Sequence, residues 1–187
     1  MSEPVILSVS GGKYKRTQIK IPDNLSDFRP TKAITREAIC NILQRKITGA
    51  QVLEICAGSA VFSMEMISRG AKSAVATEKN AALSEFIKKQ IKKFEWSAQL
   101  EILSQTAADF VRNCSKKFDI IYFDPPYYED DLSALSKEML PLLKESGVLI
   151  FEFATDDKFA LQIATETNGN IRKYGKSSLV FVEAHSA

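Results

Sequence analysis

Along the chain, short apolar runs alternate with longer segments in which apolar positions recur every three or four residues. The first pattern predicts buried strands and the second amphipathic helices. Val5 to Val9 and Lys13 to Ile21 read as two short strands joined by Ser10-Gly11-Gly12. Pro22 to Pro30 is a turn-rich link, after which Ile34, Ala38, Ile39, Ile42 and Leu43 fall at helical spacing. Thr31 is the expected N-cap of that helix and Gly49 its end. Strands are then expected at 50–56, 73–78, 100–105, 118–124 and 147–154. Between them, helices are expected at 59–70, closed by Gly70, and at 80–94, 107–114 and 132–143, the last kinked or restarted at Pro141. In the 80–94 segment Leu83, Phe86, Ile87, Ile91 and Phe94 share one stripe, with Lys88, Lys89, Lys92 and Lys93 off it. A helix at 156–167 and a strand-turn-strand at 171–183 complete the chain.

Repeated β-α-β units imply an α/β fold with a mostly parallel sheet covered on both faces. The closing strand pair places an antiparallel strand in that sheet. With 187 residues the chain is one domain with room for a small appendage. The expected division is a basic N-terminal β-hairpin extension over 1–30 and the main domain over 31–187.

Composition narrows the chemistry. Hydrophobic residues at 45% and charged residues at 26% describe a globular chain. No apolar run approaches the roughly 20 residues that cross a bilayer, and the N-terminus shows no secretory pattern. Cys40, Cys56 and Cys114 are scattered without a CxxC pair, which fits a reducing cytoplasm and no cysteine zinc site. The single histidine, His185, stands two residues from the last one. A histidine-based triad or metal site is therefore not expected, and no metal is invoked. Residues 1–50 carry nine Lys/Arg against four acids, a net of +5, within a chain of net +2. A basic amino-terminal third predicts a surface that faces a polyanion.

Two stretches suggest a site. LEICAGSA (53–60) follows a strand and opens a helix, where ligands of such sheets bind. Gly58 permits close backbone approach, and the helix start at Ser59 is expected to offer free N–H groups to an anion. Glu78 ends the next strand, 20 residues beyond Gly58, a spacing suited to a carboxylate that accepts both ribose hydroxyls. Without a full GxGxxG a dinucleotide fits poorly. Glu54 beside the loop suits a cationic ligand, and S-adenosylmethionine combines ribose, carboxylate, ammonium and sulfonium. The second stretch is IIYFDPPYY (120–128), an apolar strand that stops at Asp124 before two prolines and two aromatics. The Asp124 carboxylate and the Pro125 carbonyl can each accept an N–H of a nucleobase amine, turning its lone pair toward a methyl donor. Pro126 helps hold that carbonyl aim, and Tyr127 can stack on the base. Positioning supplies most of the catalysis in such a site.

These segments resemble one family along nearly the whole chain: the methyltransferases that modify guanine N2 in small-subunit ribosomal RNA, the RsmD type. The resemblance is carried by SGGKYKRTQIKIP (10–22), FRPTKAITREAICNIL (28–43), LEICAGSAVFSMEMISRGAKSAVATEKN (53–80), FDIIYFDPPYY (118–128) and KYGKSSLVFV (173–182). DPPY is shared with adenine-N6 methyltransferases; the RPT…RE segment joined to GGKYKR is more specific. The resemblance implies a Rossmann-like class I methyltransferase with a seven-stranded sheet and a C-terminal antiparallel hairpin. It also implies an adenosylmethionine site lined by Glu54, Cys56, Ala57, Gly58, Ser59, Ala60, Glu78, Lys79, Thr106, Ala107 and Asp124. Asp124, Pro125, Pro126 and Tyr127 would hold the guanine. Two positions depart from the family pattern. Ala60 stands where glycine is frequent, and Thr106 where an acid or amide often faces the adenine amine, with Asp109 three residues later.

Lys13, Lys15, Arg16, Lys20, Arg29 and Arg36 are the expected RNA-phosphate contacts, with Lys88 to Lys93 a secondary set. The expected partner is rRNA or the small ribosomal subunit, because a hairpin of this size reads little sequence and base chemistry needs an unstacked base. The enzyme is expected to be a cytoplasmic monomer. Adenine-N6 DNA methylation, glutamine-N5 methylation of a protein, and a non-catalytic RNA-binding or assembly role remain open alternatives.

Overall fold

The computed structural model describes residues 4–25, 31–124, 132–155 and 157–184. The chain forms β1 (Val5–Ser8), β2 (Gln18–Ile21), α1 (Ala33–Ile42), α2 (Gln44–Ile47), β3 (Gln51–Ile55), α3 (Val61–Ser68), β4 (Ser73–Glu78) and α4 (Ala81–Lys93). It continues with β5 (Leu100–Ser104), α5 (Ala107–Asn113), β6 (Phe118–Phe123), α6 (Leu132–Met139), β7 (Leu143–Ala154), α7 (Lys158–Thr167), β8 (Asn170–Tyr174) and β9 (Ser177–Glu183). Strands β3 to β9 build one seven-stranded sheet in the order β5-β4-β3-β6-β7-β9-β8. All its pairings are parallel except those of β9 with β7 and β8.

Alternation along the buried strands sends successive side chains to opposite faces. Val52, Ala74, Ala76, Ile120 and Val148 pack with α1 to α4 through residues such as Ile39, Phe62, Met66, Ile87 and Ile91. Leu53, Ile55, Ile121, Phe123 and Phe151 pack with α5 to α7 through Phe110, Met139 and Ile163. Helices thus cover both faces, as the continuous apolar strands require.

Three local expectations change. The hairpin strands are shorter than expected, because residues 10–16 turn against the end of α3. Lys13 N–H donates to the Ser68 carbonyl at 2.7 Å, and Tyr14 N–H to Ser68 Oγ at 2.9 Å. A Cβ on Gly12, at φ +75°, would lie 1.9 Å from the Ser68 carbonyl oxygen, so glycine is required there. Val9, Ile19 and Ile21 share the buried cluster of α1, α3 and the sheet, so the hairpin is packed into the body. Helix α1 begins at Ala33 after Lys32, not at a Thr31 cap, and stops at Leu43, with the short α2 before Gly49. Strand β7 starts four residues before the expected Gly147, with Ser146 at φ +63° and a register shift opposite Phe118 and Ile120.

Candidate functional site

The chain runs outward from β3 to β4 to β5, then returns to the other side of β3 with β6. The carboxyl ends of β3 and β6 therefore flank the switch point, where open α/β sheets bind ligands. Ile55 pairs with Phe123 in parallel register, so Cys56 and Asp124 each directly follow the last paired residue of adjacent strands. The two stretches singled out by sequence meet at one place.

The loop after β3 is tightly wound. Cys56, Gly58 and Ala60 have φ of +59°, +50° and +54°, and Ala60 occupies the N-cap of α3 without a capping side chain. A non-glycine residue in this region carries local strain. Several bonds hold the loop in place: Ala57 N–H donates to the Thr77 carbonyl and Ala60 N–H to the Ala57 carbonyl, both at 2.8 Å. Glu78 accepts Gly58 N–H at Oε2 and Asn80 N–H at Oε1, each at 2.8 Å. Each oxygen keeps a further lone pair, so a ribose diol fits the half-buried carboxylate.

Glu54 departs from expectation. It is 2% exposed, and its Oε2 accepts the N–H of Ser63, in the first turn of α3, at 2.8 Å. Burial pushes its carboxyl up to about 7, against the opposing effects of donation from Ser63 and the charge of Arg36. Because Ala60 cannot cap, Glu54 reaches up from the strand and satisfies an orphan N–H of the helix. The expected anion site at this helix start is thus turned inward onto an internal carboxyl, and Val61 N–H is directed to Ser59 Oγ at 3.4 Å. Glu54, Ala57, Gly58, Ser59 and Ala60 are buried scaffold. Of the remaining expected cofactor residues, Cys56, Glu78, Lys79, Thr106 and Asp124 reach solvent at the ends of four adjacent strands, and Ala107 is buried. Thr106 caps α5: its hydroxyl accepts Asp109 N–H at 3.1 Å and donates to Asp109 Oδ2 at 2.7 Å. That reciprocal bond brings the carboxylate of Asp109 back to the Thr106 position.

Asp124 is half-buried, neither sealed in the core nor fully exposed. Its Oδ2 lies 3.5 Å from Thr31 Oγ1, which is also 3.3 Å from the Tyr122 hydroxyl. Tyr122 donates to Glu152 Oε2 at 2.6 Å, and Ser177 donates to Glu152 Oε1 at 2.7 Å. Since the Tyr122 proton is committed to Glu152, the single Thr31 proton is left for the phenol oxygen and for Asp124. Burial, then the Asp124 and Glu152 carboxylates, hold the Tyr122 phenol well above its usual range, so it remains a donor. Its ring stacks on Phe62 at 4.2 Å. Sequence reasoning missed Thr31, Tyr122, Glu152 and Ser177 as a group. The signal was an acid inside GVLIFEFA (147–154), since an acid in a fully buried strand needs partners. Expectations for Pro125, Pro126, Tyr127, Arg29 and His185 fall outside the described residues.

Lys13, Lys15, Arg16 and Lys20 are exposed. Arg36 is not: it is 2% exposed, donating to the Thr31 carbonyl at 2.6 Å and the Ser8 carbonyl at 2.8 Å. Glu65, itself fully buried, lies 3.9 Å from Arg36 Nε and accepts from Ser10 N–H at 2.7 Å and Arg69 Nε at 2.8 Å. Arg36 is therefore a structural tie between the hairpin, Thr31 and α3, not a phosphate contact. Its basic character in the sequence was real, but its place on α1 points inward. No metal-binding cluster occurs among the described residues, and among them no helix is long and apolar enough to cross a membrane.

The strand order, the wound loop after the first core strand and the acids ending β4 and β6 define a Rossmann-like methyltransferase fold. The family model described as Conserved hypothetical protein 95 matches residues 7–183, and the chain belongs to this family, that of the RsmD type. Ribosomal RNA small subunit methyltransferase D of Buchnera aphidicola is 30% identical over 137 residues, covering 73% of this chain and 69% of that protein. The protein of the same name from Escherichia coli strain K12 is 27% identical over 146 residues, covering 78% and 71%. A solved structure of the T. thermophilus 16S rRNA N2 methyltransferase RsmC, in complex with AdoMet and guanosine, shares the fold. It matches with a TM-score of 0.77 at 18% identity, over 98% of this chain and 50% of that one.

Proposed function

We propose that the protein transfers a methyl group from S-adenosylmethionine to the exocyclic N2 amine of a guanine in small-subunit (16S) rRNA, acting in the cytoplasm on the RNA or on the small subunit. The observation that carries this reading is the half-buried Asp124, set one step beyond Phe123 beside the loop that Glu78 clasps. Small-subunit rRNA methyltransferases among the relatives, and a fold neighbour that binds AdoMet and guanosine, support the same reading.

The residues present fit the cofactor: the free lone pairs of Glu78 would take the ribose hydroxyls, and Cys56, Lys79 and Thr106 would border the rest. When bound, adenosylmethionine supplies an electrophilic methyl group on a sulfonium. Asp124 accepts one N–H of the target amine, drawing its lone pair out of conjugation with the ring. The proton the amine gives up on methylation passes by this half-buried carboxylate to solvent. The Thr31 hydroxyl, 3.5 Å from Asp124 Oδ2 and 3.3 Å from the Tyr122 hydroxyl, borders the carboxylate. Pro125 to Tyr127 are proposed to supply the second acceptor and the stacking ring. No histidine or metal is required, and positioning does most of the work.

The test is label transfer from adenosylmethionine to unmethylated small subunits, naked small-subunit rRNA, duplex DNA and release factors. Transfer confined to the subunit or its rRNA supports the proposal. Transfer to DNA or a release factor, or RNA binding with no transfer at all, rejects it.

A further inference from the structure

Two basic segments far apart in sequence meet at the end of the molecule remote from Asp124. The hairpin tip, with Lys13, Lys15 and Arg16 exposed, is bonded to Ser68, the last residue of α3. Helix α3 starts at the site loop and runs away from it. Helix α4 likewise starts just after Glu78, and its 13 residues end at Lys93, roughly 20 Å further down the body.

Three touching rings join these ends. Tyr14 of the tip meets Trp96 edge-on at 5.2 Å, and Trp96 meets Phe94 at 5.2 Å. Lys13 Nζ lies 5.2 Å from the centre of Tyr14, and Lys93 Nζ 5.5 Å from that of Phe94. Trp96 is fully buried, so the row has a fixed base. Lys92 and Lys93 are exposed beside it. Lys88, further up α4, is paired with Glu85, and one exposed acid, Glu95, stands between Phe94 and Trp96 in the chain. Among the described residues none of Lys13, Lys15, Arg16, Lys92 or Lys93 is held in an ion pair.

We infer that the hairpin tip and the carboxyl end of α4 form one phosphate-docking face for folded RNA, carried by Lys13, Lys15, Arg16, Lys92 and Lys93. The occupant follows from charge: unneutralised cations from two segments, with Lys13 and Lys93 set over a row of rings anchored by Trp96, suit a polyanion. This rests on the rRNA reading above and adds a dimension to it. A nucleotide held at Asp124 lies about a 13-residue helix, ~20 Å, from this face. Only RNA long or folded enough to span that distance engages both, so substrate choice falls on architecture more than on local sequence.

The experiment measures binding of wild type, Lys13→Ala/Lys93→Ala and the charge control Lys158→Ala to naked small-subunit rRNA and to unmethylated small subunits over a range of salt, alongside methyl transfer to each. The double variant should lose about tenfold or more in affinity, and the slope of log K against log[salt] should flatten by about 1–2, the loss of roughly two phosphate contacts. Its transfer defect should appear in KM and not in kcat, and Lys158→Ala should match wild type. If wild type methylates the RNA and the double variant binds it with unchanged affinity and slope, this face is wrong while the enzymatic reading stands. If wild type transfers no methyl to either the RNA or the subunit but the double variant still flattens the slope, the face stands and the enzymatic reading falls. Wild type that binds neither the RNA nor the subunit overturns both.

Discussion

The backbone N–H of Gly58 donates to Oε2 of Glu78 at 2.8 Å, linking the loop after β3 to the end of β4. The other oxygen accepts Asn80 N–H at the same distance, so one carboxylate both shapes the loop and faces the proposed ribose position. Glu78→Gln keeps the size but replaces one acceptor with a donor that confronts a backbone N–H. The variant should lose about 1–3 kcal/mol of stability and bind adenosylmethionine about tenfold or more weakly. Urea unfolding and calorimetric titration check the two effects. A variant that binds the cofactor as wild type does would remove Glu78 from the site.

Glu54 gives a pH prediction. Its carboxyl is raised by burial from 4.5 to about 7 in the folded chain. Between those values the unfolded chain has released the proton while the folded chain keeps it. The folded state then binds more protons, so stability falls as pH rises. The contribution is fully present below pH 4.5, is lost through about 7 and changes no further above it. Against Glu54→Gln, which cannot titrate, wild type should lose roughly 3 kcal/mol between about pH 4.5 and 8. Urea midpoints of both proteins across that range measure it; a constant difference contradicts the buried-cap role.

Arg36 distinguishes an internal tie from an RNA contact. Arg36→Met removes the donors to the Thr31 and Ser8 carbonyls and a cation near Glu65. Removing one partner of a buried ionic network costs about 3–5 kcal/mol. Urea unfolding should show that loss, while the salt dependence of rRNA binding by the folded protein stays that of wild type. A flattened salt slope with unchanged stability would return Arg36 to the surface role its sequence position suggested.

The sheet was legible because its strands are continuous apolar runs buried on both faces, and because helices such as α4 kept an apolar stripe, although α3 is buried on every side. The bond of Glu78 to the loop at Gly58, and Asp124 following the end of the strand beside that loop, fit the expectation that the carboxyl ends of neighbouring parallel strands share one edge. Direction was not legible. Glu54 and Arg36 both carry charges in promising places, yet one sits beneath a helix that lacks a capping side chain and the other on the inward face of α1. Neither burial follows from residue type or spacing. Thr31 read locally as a helix cap, but its hydroxyl faces two non-local neighbours, the Tyr122 hydroxyl and Asp124. The hairpin tip was shortened for a similar reason: Gly11 and Gly12 meet Ser68 and Arg69, more than 50 residues away in the chain.

The most direct measurement is the chemical identity of the methylated nucleoside. Unmethylated small subunits are incubated with labelled adenosylmethionine and either wild type or Asp124→Ala, and the rRNA is digested and its nucleosides resolved. The account predicts label in N2-methylguanosine with wild type, and a rate at least about 100-fold lower with Asp124→Ala, a loss of roughly 2.7 kcal/mol in transition-state stabilisation. Label in N6-methyladenosine, or an Asp124→Ala variant that transfers as fast as wild type, would contradict it.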